Sequence, residues 1–330
     1  MMKAILCTAY GPPEVLELSE IEKPIPRNNE VLIRIRATTV TAADCEIRRF
    51  EFPGWIWLPL RLWFGLRRPR RPVLGQELAG NVEAVGKDVK LFVPGDWVFA
   101  SSGIGLGAYA EYICLGEEPE GGAIAKIPAS LSVEEAATIP YGGREALQFL
   151  RKGNIQSGQK VLINGAGGSF GTYAVQLAKI FGADVTAVDS AGKLDMLRSI
   201  GADHVIDYTQ QSFTSSGETY DVVFDVPGKS LFLPTIKSLG QNGRFLLSNP
   251  HLTQLVLGLW ISMTTSKKVI FGASSGTSED LAYLGDLVAA GKIRSIIDRS
   301  YPLERMAEAH KYVETGQKKG SVVITVEGSR

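Results

Sequence analysis

The stretch VLINGAGGSFGTYAVQLAK, residues 161–179, limits the folds open to this chain more than any other segment. An apolar run feeds a loop holding Gly165, Gly167, Gly168 and Gly171, and a helical pattern comes directly after it. Glycines permit the tight turn and bring backbone N–H groups close to a diphosphate, which the positive end of the helix then faces. The register is GxxGxxG through Gly165, Gly168 and Gly171 rather than strict GxGxxG. A plain tight turn could look the same, so the flanks carry weight. A second apolar run ends in Asp189, about 18 positions beyond Gly171 and near the offset of a ribose-binding acid. The segment therefore predicts dinucleotide binding.

Its surroundings fit. From about residue 130, strand-like runs (KVLING, DVTAVDS, HVIDY, YDVVFDV, GRFLLS, KKVIFGAS) alternate with helical patterns such as SFGTYAVQLAKIFG and KLDMLRSIG. Such alternation predicts βαβ units and a parallel sheet covered on both faces. The helix signal in SLSVEEAATIP starts with Ser132 as N-cap and Glu135 three residues on. The first 128 residues read differently. EVLIRIRATTV (30–40), LAGNVEAVG (78–86), DWVFAS (96–101) and GAYAEYICL (107–115) are β-branched runs broken by turn residues, which suggests a barrel-like or open antiparallel domain. Two amphipathic helices (279–291 and 304–316) and a closing strand, SVVITV, end the chain.

At 330 residues the chain exceeds what one core usually serves, so two domains are expected. Its 35 basic and 35 acidic side chains leave no net charge and argue against a nucleic-acid partner. No apolar run approaches the roughly 20 residues of a membrane span, and MMKAILCTAY reads as a strand rather than a signal peptide. Cys7, Cys45 and Cys114 are scattered and form no CxxC pair, which predicts free thiols and a cytoplasmic location.

With these segments in view, the chain resembles the medium-chain dehydrogenase/reductase superfamily, and within it the zinc-independent quinone oxidoreductase branch. The resemblance spans nearly the whole chain: GQELAGNVEAVGKDV (75–89) follows G-x-E-x-x-G-x-V, and PGDWVF (94–99), GAYAEY (107–112), AATIPYGGREAL (136–147) and IGADHVIDY (200–208) stand in the family's order. It implies an α/β protein with a GroES-like β-rich catalytic domain from residues 1–128 and 276–330. A Rossmann domain with a doubly wound parallel sheet would occupy 129–275, the nicotinamide would lie in a cleft, and the assembly would be a homodimer. Equivalents of Lys193 and Tyr208 bind a 2′-phosphate in related quinone reductases, which favours NADP(H). Asp189 would repel that phosphate and leaves NAD(H) open, and Lys193 could equally be a solvated residue opening a helix. Ser190 is a further donor. With Gly165, Gly168, Ser169, Phe170, Gly171, Val226 and Asn249 these residues make up the expected cofactor set.

Zinc is where the chain departs from the alcohol-dehydrogenase branch. Gln76 stands where that branch has a histidine ligand, and Thr41, Ala42 and Ala43 stand where it has a cysteine. A neutral amide is a poor zinc ligand, and of the three histidines, His204, His251 and His310, none is expected in the β domain, so no metal site can be assembled there. No metal is therefore expected. Without a Lewis acid, reduction of a quinone or an α,β-unsaturated carbonyl is easier than oxidation of a simple alcohol. An enoyl-thioester reductase, or a non-catalytic NADPH-binding protein of the crystallin or vesicle type, are the alternatives. Thr41 and Tyr141 are candidate donors to the substrate, with a packed aromatic the other reading of Tyr141. Asp44 completes the candidate catalytic set by anchoring that loop, with a turn or helix-cap residue the other reading. Finally, FPGWIWLPLRLWFGLRRPRRP (52–72) and LTQLVLGLWISM (252–263) are unusually apolar. They predict a hydrophobic substrate, with a lid, a membrane contact and a packing interface all open for the first.

Overall fold

In the computed structural model, which describes residues 1–272 and 276–326, the alternating apolar runs become a six-stranded parallel sheet. Its spatial order is His204–Asp207, Asp184–Asp189, Lys160–Asn164, Tyr220–Asp225, Leu239–Leu247 and Lys268–Phe271. In chain order this is 3-2-1-4-5-6, the doubly wound Rossmann arrangement, and the direction of winding reverses between Lys160–Asn164 and Tyr220–Asp225. Val161, Leu162, Ile163, Val222, Val223 and Phe224 are wholly buried. That explains the continuous rather than alternating apolar pattern, since helices cover both sheet faces. This unit comprises Gly142–Ser275 and Gly291–Arg294.

The other unit comprises Met1–Tyr141, Gly276–Ala290 and Ser295–Arg330. Its GroES-like sheet runs Ile297–Pro302, Ser321–Thr325, Glu30–Val40, Glu77–Val85, Trp97–Ser101, Ala123–Lys126, with Tyr112–Gly116 also paired to Glu30–Val40. All pairings are antiparallel except Ile297–Pro302 with Ser321–Thr325. Met2–Cys7 and Leu16–Ile21 form a separate hairpin. Residues 129–141 lie in this unit, where the short helix Val133–Ala137 starts on the Ser132–Glu135 capping box.

The 107–115 run is only half strand. Leu106 (φ 56°) and Gly107 (φ 105°) turn the chain, and the backbone of 108–111 bonds to Leu74, Gly75 and Lys3 instead of joining a ladder. The ladder begins at Tyr112. Both apolar stretches are helical, Gly54–Phe64 and Leu252–Thr264.

Candidate functional site

The glycine loop sits where the parallel sheet reverses. Gly165 adopts φ 75°, and its N–H and that of Ala166 bond to Val188 O at 3.0 and 3.1 Å. A Cβ on Gly171 would come within 2.3 Å of Gly165 O, and one on Gly167 within 2.4 Å of Lys193 Cδ. These two glycines are required by packing within the unit. Gly168 differs: a Cβ there would have no neighbour closer than 4.0 Å. Its missing side chain leaves open space at the N-terminus of Ser169–Ile180. That helix has no side-chain cap and no acidic residue in its first turn, so its positive end suits an anion. A dinucleotide diphosphate fits this cradle.

The remaining expected cofactor residues lie around it. Ser169 is buried, and Phe170 packs on Phe149 and Phe224 at 6.2 and 5.4 Å between centroids. Val226 comes just after the strand across the reversal point and donates its N–H to Asn164 O (3.1 Å). Asn249 is exposed, its carbonyl close against Gly228. Tyr208 is 59% exposed, with its N–H on Asp189 O at 3.2 Å.

Asp189 is fully engaged within the protein. Oδ2 accepts the Gly167 N–H (2.7 Å), Oδ1 accepts the Ser190 N–H (2.8 Å), and Lys193 Nζ stands 3.0 Å from Oδ1. Lys193 is buried, not solvated. The carboxylate that would repel a 2′-phosphate thus carries its own counter-charge.

In the GroES-like unit the candidates form a buried polar cluster. Thr41 caps the helix Ala42–Arg49, and its N–H and Oγ1–H donate to Asp44 Oδ2 at 2.9 and 2.6 Å while Asp44 N–H returns a bond to Thr41 Oγ1. This capping box explains one oxygen of Asp44. The other, Oδ1, is buried and makes no hydrogen bond of ordinary geometry, although the Gln76 amide and Tyr109 hydroxyl stand beside it. Burial pushes the Asp44 carboxyl up, against the pull of Thr41, Gln76 and Tyr109. Gln76 Nε2 is likewise buried and makes no hydrogen bond of ordinary geometry, its amide standing beside the Asp44 carboxyl.

Glu77, next to Gln76, has its acceptors filled: Oε1 by the Thr39 hydroxyl and Oε2 by the Tyr141 N–H at 2.8 Å. It ties two segments of one unit together, and desolvation raises its carboxyl to about 7. Tyr141 itself is half-buried.

One expectation fails here. The structure places a histidine in this cluster, because the C-terminal segment returns to the unit through Met306–Glu314. His310 is wholly buried, with Nε2 3.2 Å from Tyr109 Oη and Nδ1 3.4 Å from Cys45 Sγ. No local pattern signals this meeting, since His310 and Cys45 are 265 positions apart. Desolvation lowers His310 to about 3 and raises Cys45 to about 12, so the pair is neutral.

The donor chemistry does not suit zinc. Gln76 offers an amide, Thr41 Oγ1 is spent on Asp44, Cys45 is held as a thiol, and both His310 nitrogens have neighbours. Among the described residues no three His, Cys, Asp or Glu side chains are grouped to hold a metal ion.

Comparison with known proteins agrees with this layout. Residues 27–129 match the alcohol dehydrogenase GroES-like domain model, and residues 200–324 match the model described as zinc-binding dehydrogenase. A 2-methylene-furan-3-one reductase of Solanum lycopersicum is 31% identical over 98% of this chain and 79% of its own length. An NADPH-dependent alkenal/one oxidoreductase, chloroplastic, of Arabidopsis thaliana is 30% identical with the same coverage. Among solved structures, the quinone oxidoreductase from Coxiella burnetii superposes with a TM-score of 0.87 at 30% identity, covering 99% of both chains.

Proposed function

Because this chain belongs to the medium-chain dehydrogenase/reductase superfamily as a quinone-oxidoreductase-like, NAD(P)H-dependent oxidoreductase, we propose that it reduces quinones and α,β-unsaturated carbonyls without zinc, preferring NADPH. The observation that carries the reading is Gln76, a buried neutral amide whose Nε2 makes no hydrogen bond of ordinary geometry, at the position where the zinc-dependent branch has its histidine.

The nicotinamide cofactor supplies the hydride when bound; the other tasks fall to this chain's residues. Gly165, Gly168 and Gly171 hold the diphosphate against the helix end, with Ser169, Phe170, Val226 and Asn249 around them. Gln76 Nε2 donates to the acceptor's carbonyl oxygen, where negative charge gathers as hydride arrives at the conjugated carbon. Asp44, whose carboxyl burial pushes up, stands beside the Gln76 amide and helps to orient it. Tyr141 closes the set as a hydroxyl donor, while Thr41 fixes Asp44. An activated acceptor needs no more polarisation than this, whereas a simple alcohol would need a metal to lower the pKa of its hydroxyl.

Lys193 supports the cofactor preference: by balancing Asp189 it removes the repulsion that a 2′-phosphate would meet, and Ser190 and Tyr208 add donors. We further place the protein in the cytoplasm as a homodimer, the location resting on its three free cysteines. Oxidation of NADPH and NADH is to be followed against quinones, enals, enones and an enoyl thioester. Turnover with the thioester alone would select enoyl-thioester reduction, and cofactor binding without any turnover would select a non-catalytic role.

A further inference from the structure

The helix Gly54–Phe64 is apolar on both sides, and only one side has a partner. Inward, Trp57 and Phe64 pack edge-on to Phe50 at 5.7 and 6.5 Å, Phe52 stacks on Phe64, and the Arg61 guanidinium lies 4.1 Å from the Tyr10 ring. At 100° per residue Trp55, Leu58, Leu62 and Trp63 share the opposite side, and they are 46, 58, 52 and 63% exposed. Leu66, just past the helix, is 62% exposed. A contiguous apolar surface of this kind marks an interaction site.

The residues beyond the helix C-terminus narrow the kind of partner. Arg67, Arg68, Arg70 and Arg71 are all exposed or nearly so at the chain surface, and among the described residues none pairs with a carboxylate. The chain carries no net charge, so this run is a local concentration of cations. Trp63, Phe64, Ile104 and Leu106 join Arg70 and Arg71 around a cavity of about 210 Å³. Its lining combines two guanidinium groups with aromatic and aliphatic side chains, the chemistry that takes a phosphate headgroup with the start of an acyl chain. A nucleic acid would use the arginines and leave Leu58, Leu62 and Trp63 in water. An uncharged protein surface would cover the leucines and tryptophans and leave the cations unmatched.

We propose that residues 54–71 dock the protein on an anionic lipid bilayer. Trp55, Leu58, Leu62 and Trp63 enter the headgroup–acyl boundary with the helix lying in the plane of the surface, and the four arginines bind lipid phosphates. The docking is independent of the reductase reading, since it uses none of the residues assigned to cofactor or substrate.

The full chain is co-sedimented with phosphatidylcholine vesicles with and without phosphatidylserine, and tryptophan emission is recorded. The expected result is binding to the phosphatidylserine vesicles, weakened by salt, with a blue shift of the emission. Each arginine replaced by glutamine among Arg67, Arg68 and Arg71 lowers the partition coefficient about fivefold, and Leu62→Glu with Trp63→Glu abolishes binding. Both of the latter positions are exposed, and unchanged NADPH binding checks that the variants fold. No binding, or equal binding to both vesicle types, overturns the proposal. So does a lipid-free self-association that the same variants abolish, which would make the occupant a second copy. A loss confined to KM for long-chain acceptors would assign the helix to the substrate and overturn it equally.

Discussion

Lys193 Nζ stands 3.0 Å from Asp189 Oδ1, with both side chains buried beside the glycine loop. The pair determines what charge an arriving adenosine ribose meets. Lys193→Met removes the cation and leaves Asp189 to repel a 2′-phosphate. Since a charge-assisted bond contributes about 1.5–3 kcal/mol, kcat/KM with NADPH should fall at least tenfold while NADH is little affected. Asp189→Asn should move the ratio the other way. Steady-state kinetics with both cofactors check this, and equal losses for NADPH and NADH would contradict it.

Two glycines of one loop should respond differently to the same substitution. Gly171→Ala drives a methyl to 2.3 Å from Gly165 O, so it should destabilise the fold, lowering Tm and cofactor binding together. Gly168→Ala meets nothing within the unit closer than 4.0 Å. Its Tm should hold while Kd for NADPH rises about tenfold or more, because the methyl enters the diphosphate's space. Thermal melts and fluorescence titration separate the two.

Gln76→Leu should lower kcat with enones about 100-fold, the usual cost of one oxyanion donor, with KM for NADPH unchanged. Because Nε2 makes no hydrogen bond of ordinary geometry, Tm should change little. A lower Tm with normal kcat would show Gln76 to be structural.

Glu77 gives the stability a pH dependence. Its carboxyl is raised from 4.5 to about 7 in the folded protein by desolvation, so the folded state favours the protonated form. The contribution is therefore full below about 4.5 and lost as pH rises through about 7, on the order of 3 kcal/mol. Glu77→Gln, which mimics the protonated group, should flatten Tm between those limits. A parallel slope in wild type and variant would contradict the assignment.

Local features were legible in the sequence. The strand–loop–helix around Gly165, the capping box of Ser132 with Glu135, and the continuous apolar strands each depend on neighbours a few residues away. The polar cluster was legible only in part. Thr41 and Asp44 form a short-range cap, but Tyr109, His310 and Cys45 meet through the return of the C-terminal segment, which no local period encodes. For Lys193 the sequence leaves a phosphate donor and a solvated helix residue both open. Its burial against Asp189 depends on a contact between side chains that the local pattern does not encode. Gly54–Phe64 hides its helical period because both faces are apolar and Pro59 interrupts it.

The most direct test of zinc-free reduction is cofactor oxidation with a metal chelator present. Purified protein is given NADPH with a quinone or an enone, and separately NADP⁺ with a simple alcohol. Turnover of the quinone and enone that the chelator leaves unchanged is the predicted result, with none of the alcohol. Alcohol oxidation that the chelator abolishes, with quinones and enones inert, would contradict it.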